Sequence, residues 1–434
     1  MTHFVASDTL LDHDRPDAST AIRTVLFLAV LALMWISLHP YPSLEDAPAP
    51  TSDGGDKLNQ IVFSGMFVAL LAWTYFNKAD GLRLLLRPAL VAMLAWFAIS
   101  IVFSWEPALA LRRFVFAVIV LTLCGITLLL PKNLRHFSDL MAVVALAVLA
   151  LCYLGVVFFP ANAIHHATDF LEPEHDGSWR GIFAHKNQAA SMMVMLFFIG
   201  LFVARARSRG LGALIIVLSL VFLVFTRSKT PIGMFPLAMI VAAIVTNARK
   251  PMVGISVALG VGIVLNLFTV GSVYIDPIRQ VLDAVMSDSS FTGRTDIWKF
   301  AIGELGGGRL ITGYGFGAFW GTEQVVFGLS GSGTWATAAT DAHNSYLNIA
   351  LTTGLPGLLL ACIWFAVLPL SDYYRIRDDG NVQPLATLFV QMLIYGLYVS
   401  VVEGMMFQQG GEIWFTFMLA VFGLRYLSAA RIRS

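Results

Sequence analysis

The chain has 434 residues, of which 57% are apolar and 13% charged, with a formal net charge of +1 and a mean hydropathy of +0.75. Soluble domains carry roughly 25% charged residues, so this composition excludes a soluble protein, and so small a net charge supplies no field to gather nucleic acid. The three cysteines, Cys124, Cys152 and Cys362, lie inside apolar runs and fit neither a disulfide framework nor a zinc site.

Residues 1–21, with Asp8, Asp12, Asp14 and Asp17, read as a disordered tail. The apolar run after Arg23 reads as an uncleaved first span, because Pro40, Pro42, Pro48 and Pro50 leave no small-residue cleavage site. A membrane span needs about 20 predominantly apolar residues. On that measure the candidates are 22–39, 58–76, 88–104, 114–130, 137–159, 188–204, 211–226, 231–247 and 251–270, then 345–370, 383–402 and 412–428. The expected fold is therefore all-α and polytopic, with about 12 spans: nine over 22–270, a large outer loop at 271–344, and three over 345–434 that end in a short tail.

Lysine and arginine in short loops set orientation. Lys78, Arg83 and Arg87; Lys132 and Arg135; Arg205, Arg207 and Arg209; Arg249 and Lys250; and Arg375 and Arg377 fall in alternate loops. Arg15 and Arg23 before the first span and Arg425, Arg431 and Arg433 at the end share that side, which predicts cytoplasmic termini. Against this rule, Arg112, Arg113, Arg180, Lys186, Arg227, Lys229, Arg279, Arg294, Lys299 and Arg309 fall on the outer side. For Arg279, Lys299 and Arg309, scattered surface charge balanced by acids such as Asp169, Glu172 and Asp296 is sufficient. Arg180 and Arg294 stand in Gly- and Trp-containing runs, which points to an anionic ligand.

The first such run is Trp179-Arg180-Gly181-Ile182-Phe183-Ala184-His185-Lys186-Asn187, at the mouth of the sixth span. His165 and His166 before it lack partners at metal spacing and read as solvated. Arg227 and Lys229 stand at the outer end of the seventh span, with Glu403 as their expected counter-ion. Loop 271–344 is too long to be featureless. Thr292 or Asp288 predicts a helix cap, and Ile297, Trp298, Ala301, Ile302 and Leu305 then fall on one face, as in an interfacial amphipathic helix. Gly306, Gly307 and Gly308 end that helix, and Gly313-Tyr314-Gly315-Phe316-Gly317-Ala318-Phe319-Trp320-Gly321 follows, read either as part of a site or as an aromatic anchor at the interface.

Arginine suits phosphate because its planar fork donates paired hydrogen bonds and keeps its charge. Arg180 and Arg294, from separate loops, predict a pyrophosphate clamp, with Lys186 on the same group and fixed cations replacing a metal. His343 precedes the tenth span. If Asp341 or Asn344 caps that helix, its positive end keeps the imidazole neutral and available as a general base. No Asp-x-Asp pair lies on the outer side, no Gly-x-Ser-x-Gly elbow is present, and few ionisable residues lie within spans, which argues against metal-dependent glycosyl transfer, a serine hydrolase and an ion-coupled transporter respectively.

The run 179–187, Thr292-Gly293-Arg294-Thr295-Asp296-Ile297-Trp298, Gly313–Gly317, and His343-Asn344-Ser345-Tyr346 continuing to Gly357 resemble, in this order, the O-antigen ligase and O-antigen polymerase superfamily. The resemblance covers about residues 175–360, and its first motif is most similar to the exopolysaccharide-polymerase branch. It implies a metal-independent, inverting glycosyltransferase without a cofactor, in the bacterial inner membrane and acting on the periplasmic face. The implied donor is an undecaprenyl-pyrophosphate-linked oligosaccharide, and the acceptor a lipid-linked glycan (polymerase) or lipid A-core (ligase). A chain-length regulator is an implied partner. Carried over, Arg180 and Arg294 face pyrophosphate and His343 is the base, with His185, Lys186, Arg227, Lys229, Tyr314, Asn344 and Tyr346 expected to contact substrate. One departure stands out: Ser228-Lys229-Thr230 replaces the family's Ser-Arg-Thr, keeping the charge and losing the fork. A flippase of lipid-linked sugars, the reading from another class, would need its cations along a path between helices rather than in loops.

Overall fold

The computed structural model describes residues 18–44, 56–169, 173–285, 291, 293–322, 325, 339–408 and 411–433. Residues 1–17 of the expected tail, Glu172 and both capping candidates, Asp288 and Thr292, lie outside these residues, whereas residues 18–21 of that tail are helical.

The described residues are helical throughout, apart from turns and one isolated bridge between Ile164 and Trp179. In chain order the apolar helices are α1 (Ala18–Trp35), α2 (Lys57–Leu85), α3 (Pro88–Ser100), α4 (Pro107–Thr127), α5 (Leu134–Phe158), α6 (Lys186–Ala206), α7 (Arg209–Phe225), α8 (Lys229–Asn247) and α9 (Pro251–Phe268). After α10 (Asp276–Val285) and α11 (Arg294–Glu304) come α12 (Ser345–Cys362), α13 (Leu368–Ile376), α14 (Gln383–Val399) and α15 (Glu412–Arg433). Among the described residues, eight helical segments are long and apolar enough to cross a membrane, and four shorter apolar ones are built on α1, α3, α7 and α14. Together they coincide with the segments expected from hydropathy.

Local chemistry sets the ends of these helices. Asp56, Asn133, Ser208 and Asn344 accept backbone N–H groups in the first turns of α2, α5, α7 and α12. Proline opens α3, α4 and α9, where no N–H is required. Several hydroxyls along the spans return to carbonyls one turn back, as Thr74 does to Leu70 and Ser219 to Ile215, which satisfies those donors without water. The core gathers around α6, α14 and α15; Tyr395, Phe415 and Met418 are fully buried there, while α2 and α9 expose Ile61, Phe76 and Ile263 as lipid-facing helices do.

Every connection that carries a sequence motif meets at one end of the bundle. Tyr41 N bonds Ile182 O at 3.3 Å, Trp179 N bonds Phe225 O at 3.0 Å, and Ser345 N bonds Ser400 O at 2.8 Å. The opposite end collects cations expected to share the other side: Arg207 pairs with Asp139 at 2.5 Å, and Lys78 donates to Leu129 O at 3.0 Å.

The connection 271–344 differs from expectation in one respect. Ile297, Trp298 and Ala301 of α11 and Leu305 just after it are buried, but against Tyr314, Phe319, Trp320 and the first turns of α12 rather than at a lipid interface. The apolar face is covered by the chain itself because residues 313–320 fold back over it. Tyr314 and Trp320 are about 5% exposed, so the interfacial-anchor reading of that run is also corrected. The fold-back depends on two glycines. Gly313 (φ +64) and Gly354 (φ +72) lie in the left-handed region, and a Cβ on Gly354 would stand 1.9 Å from Ile311 O. That contact permits Tyr314 N to bond Leu351 O at 3.0 Å and Leu355 N to bond Leu310 O at 2.8 Å.

Candidate active site

One short turn, Ser400–Gly404 after α14, draws the three basic motifs together. From the first motif, Asn187 Nδ2 donates to Glu403 Oε1 at 3.0 Å. From the second, Arg294 donates to Val402 O and, at 3.3 Å, to the same Glu403 oxygen. From the third, Ser345 Oγ donates to Glu403 O at 2.8 Å, and Asn344 Nδ2 donates to Val401 O at 2.7 Å. Ser228 joins through its hydroxyl, which donates to Asn187 Oδ1 at 2.5 Å. Glu403, expected to neutralise Arg227 and Lys229, is therefore the partner of Arg294 and Asn187. Arg227 is exposed and turns to Asp176 O at 3.4 Å, and Lys229 is exposed at the start of α8. An ionisable residue at the end of an apolar segment is a functional signal in its own right, and it was present in the sequence at Glu403 without indicating its partners.

Helix α11 fixes the spacing between cation and histidine. Arg294 and Trp298 are four residues apart and share a face. Trp298 Nε1 donates to Ala342 O at 2.9 Å, which locks the residue before His343 to the helix that carries Arg294. His343 is a quarter exposed, and its backbone N–H donates to Asp341 Oδ1 at 2.5 Å, with that oxygen 3.9 Å from Nδ1. Its φ of +45° places a non-glycine residue in the left-handed region, a strain of order 1 kcal/mol held by its surroundings. Tyr41, Arg227, Phe291 and Phe407 at this same end also have positive φ. Of the two capping candidates for α12, Asn344 is the N-cap, accepting Leu347 N at 2.9 Å.

Several residues expected to contact substrate make structural hydrogen bonds in the fold. Arg180 is fully buried: Nη1 donates to Phe183 O at 3.0 Å and Nη2 to Pro42 O at 2.7 Å, while Nε has no hydrogen-bond partner among the described residues. Burial pushes its pKa down, opposed by the charge of Asp169. In this conformation its fork joins two stretches of protein and is not turned toward Arg294. Asn344 is wholly buried, with its amide spent on Val401 O and on Asn266 Oδ1 at 3.0 Å. Tyr346 donates to Leu397 O at 2.7 Å. Tyr314 donates to Glu304 Oε2 at 2.9 Å beneath Arg309, and burial first, then Glu304, pushes its pKa up to about 12. Each has a hydrogen-bond partner within the fold.

The loop around Arg180 holds a histidine cluster. His165, expected to be solvated, is 1% exposed; Nδ1 pairs with Asp169 at 2.7 Å and Nε2 accepts Lys186 N at 3.2 Å. Those partners place the proton on Nδ1. Burial is the main cause that drops its pKa to about 4, with Asp169 opposing. The rings of His175 and His185 stand 5.6 and 5.4 Å from it. His185 accepts Asn187 N at 3.1 Å and so caps α6, while His166 bonds Pro160 O at the surface. Sequence spacing did not reveal this cluster, because it forms by the fold-back of 164–179.

A cavity of about 210 Å³ opens beside this turn, between the ends of α3 and α4, residues 316–320, the start of α12 and residues 404–408. Asp341 lines it, as do Arg113, Trp320 and Gln408. Among the described residues no three His, Cys, Asp or Glu side chains stand close enough to hold a metal.

Residues 194–362 match the family described as O-antigen ligase, a stretch that contains Lys229, Arg294, the aromatic fold-back and His343. No curated protein matches the chain. The family is one of ligase- and polymerase-type glycosyl transfer on lipid-linked glycans. The matched stretch holds the cation, the base candidate and the helices that align them, so this chain is a multi-pass membrane protein whose residues 194–362 are similar to the O-antigen ligase family.

Proposed function

We propose that this protein transfers a glycan from undecaprenyl pyrophosphate to an acceptor hydroxyl on the periplasmic face of the inner membrane, extending a lipid-linked repeat unit. The observation that carries the reading is the convergence of Asn187, Arg294, Asn344 and Ser345 on the turn 400–403. Three sequence-distant motifs need a common anchor if they serve a common substrate.

In this reading His343 takes the proton of the acceptor hydroxyl as its oxygen attacks the anomeric carbon from the face opposite the pyrophosphate. The anomeric C–O bond breaks, the configuration inverts, and the electron pair leaves on the pyrophosphate. Arg294 meets that charge. Its side chain is 14% exposed and already shares an oxygen of Glu403, so a phosphate would replace or join a carboxylate at a prepared position. Fixed cations serve here in place of a metal. Arg180 acts at one remove, by holding the turn that delivers His185 and Lys186.

The test uses His343→Ala in membranes supplied with lipid-linked repeat unit. Removing a general base costs about a hundredfold to ten-thousandfold in rate, so donor should accumulate unextended while still protecting Arg294 from arginine-specific modification. Wild-type polymer yield from this variant overturns the assignment. Transfer to lipid A-core rather than to a second repeat unit would make the protein the ligase instead.

A further inference from the structure

The cavity beside the turn 400–404 is not used by the chemistry above. Its walls combine two kinds of surface. Phe316, Trp320 and Phe407 give it aromatic faces, with Phe316 stacked on Phe97 at 5.1 Å between ring centroids. Arg113, Asp341 and Gln408 give it polar groups. Arg113 is anchored to Gly317 O, and Gln408 Nε2 lies 3.5 Å from Asp341 Oδ2. Ligand sites of this kind pair an apolar lining with a few placed polar groups.

We propose that this cavity is a subsite for one sugar ring of the acceptor glycan, a proposal that rests on the transferase reading. A pyranose has two apolar C–H faces and a rim of hydroxyls, which match an aromatic wall with a carboxylate, an amide and a guanidinium. A phosphate is the poorer occupant, because the Asp341 carboxylate would face it with like charge. The volume of about 210 Å³ is enough for one ring. Asp341 gives the subsite its direction. Its Oδ1 holds the backbone of His343 at 2.5 Å, and its Oδ2 faces Gln408. A sugar that bonds Oδ2 is thereby placed beside the base, and the acceptor is the substrate whose hydroxyl the base must meet. Asp341 is thus a substrate-binding residue that also positions His343.

The probes are the methyl β-glycosides of glucose, galactose, mannose and N-acetylglucosamine, added to the full chain in detergent micelles and observed by saturation-transfer-difference NMR. At least one should show transfer to its ring C–H protons. Gln408→Ala, at a half-buried loop position, and Trp320→Ala should each weaken it at least tenfold. Arg294→Met should leave the signal in place, and inorganic pyrophosphate should not compete. Asp341→Asn should raise the acceptor KM and lower kcat, whereas Gln408→Ala should raise KM alone. No signal from any glycoside, an undiminished signal in Gln408→Ala, or competition by pyrophosphate overturns the subsite. Glycoside binding by a chain that transfers no glycan would keep the subsite and remove the transferase reading; transfer without glycoside binding would do the reverse.

Discussion

Replacing Arg180 by methionine separates a side chain that binds phosphate from one that holds the wall of the site. Methionine has similar length and fills irregular space, so the substitution removes mainly the charge and the fork. Pro42 O and Phe183 O, now bonded at 2.7 and 3.0 Å, would each lose an ionised donor. An orphaned buried acceptor costs about 1–3 kcal/mol, so the pair costs about 2–6 kcal/mol. Part of this is offset, because a fully buried guanidinium is itself expensive to desolvate, and a net loss of about 3 kcal/mol is expected. Arg180→Lys should fall between, since one ammonium cannot replace a fork that spans two carbonyls. Unfolding in mixed micelles, followed by tryptophan fluorescence, reads this directly. Stability within about 0.5 kcal/mol of wild type, together with complete loss of transfer, would refute the argument and return Arg180 to the pyrophosphate.

For the ion pair, a double-mutant cycle of Arg294→Met and Glu403→Gln should give a coupling of about 1–2 kcal/mol. The gross attraction at 3.3 Å is about 5 kcal/mol at an effective dielectric of 20, and desolvation removes most of it; additive single effects would show that the pair carries nothing. For pH, His165 has a folded pKa of about 4 against 6.5 unfolded, so the unfolded chain binds more protons between those values and stability falls as pH drops through that window. The loss by pH 5 should be about 1–2 kcal/mol at 1.4 kcal/mol per unit, and a His165→Gln variant should lack that slope. For metals, transfer measured with and without a chelator should proceed at one rate, and a loss on chelation would point to an ion in the reaction. For topology, reporters at Arg207, Arg249 and Arg377 should read cytoplasmic and those at Asp176 and Gly321 periplasmic; a cytoplasmic reading at Gly321 would separate the fold-back from its substrate.

The sequence determined the class of molecule and its plan. Apolar runs of span length force helices, since lipid offers no partner for a free peptide group, and the helices stand where hydropathy put them. The alternation of loops predicted that 179–187, Arg294 and His343 share one end, and the hydrogen bonds of Asn187, Arg294, Asn344 and Ser345 to the turn 401–403 join their motifs there. The motifs resembling one superfamily were legible for the same reason: they are short, local and read residue by residue. What each charged side chain touches was not legible, because a partner is chosen by three-dimensional proximity and not by chain position. Arg180 and Arg294 look alike as letters, yet one is sealed between two carbonyls and the other shares Glu403 with Asn187. His165 and His166 are neighbours, but only the first turns inward to Asp169. The face of α11 has the spacing of an interfacial helix, and only the fold-back permitted by Gly313 and Gly354 buries it. Local patterning fixes which residues leave water, whereas the packing of distant segments fixes what they meet there.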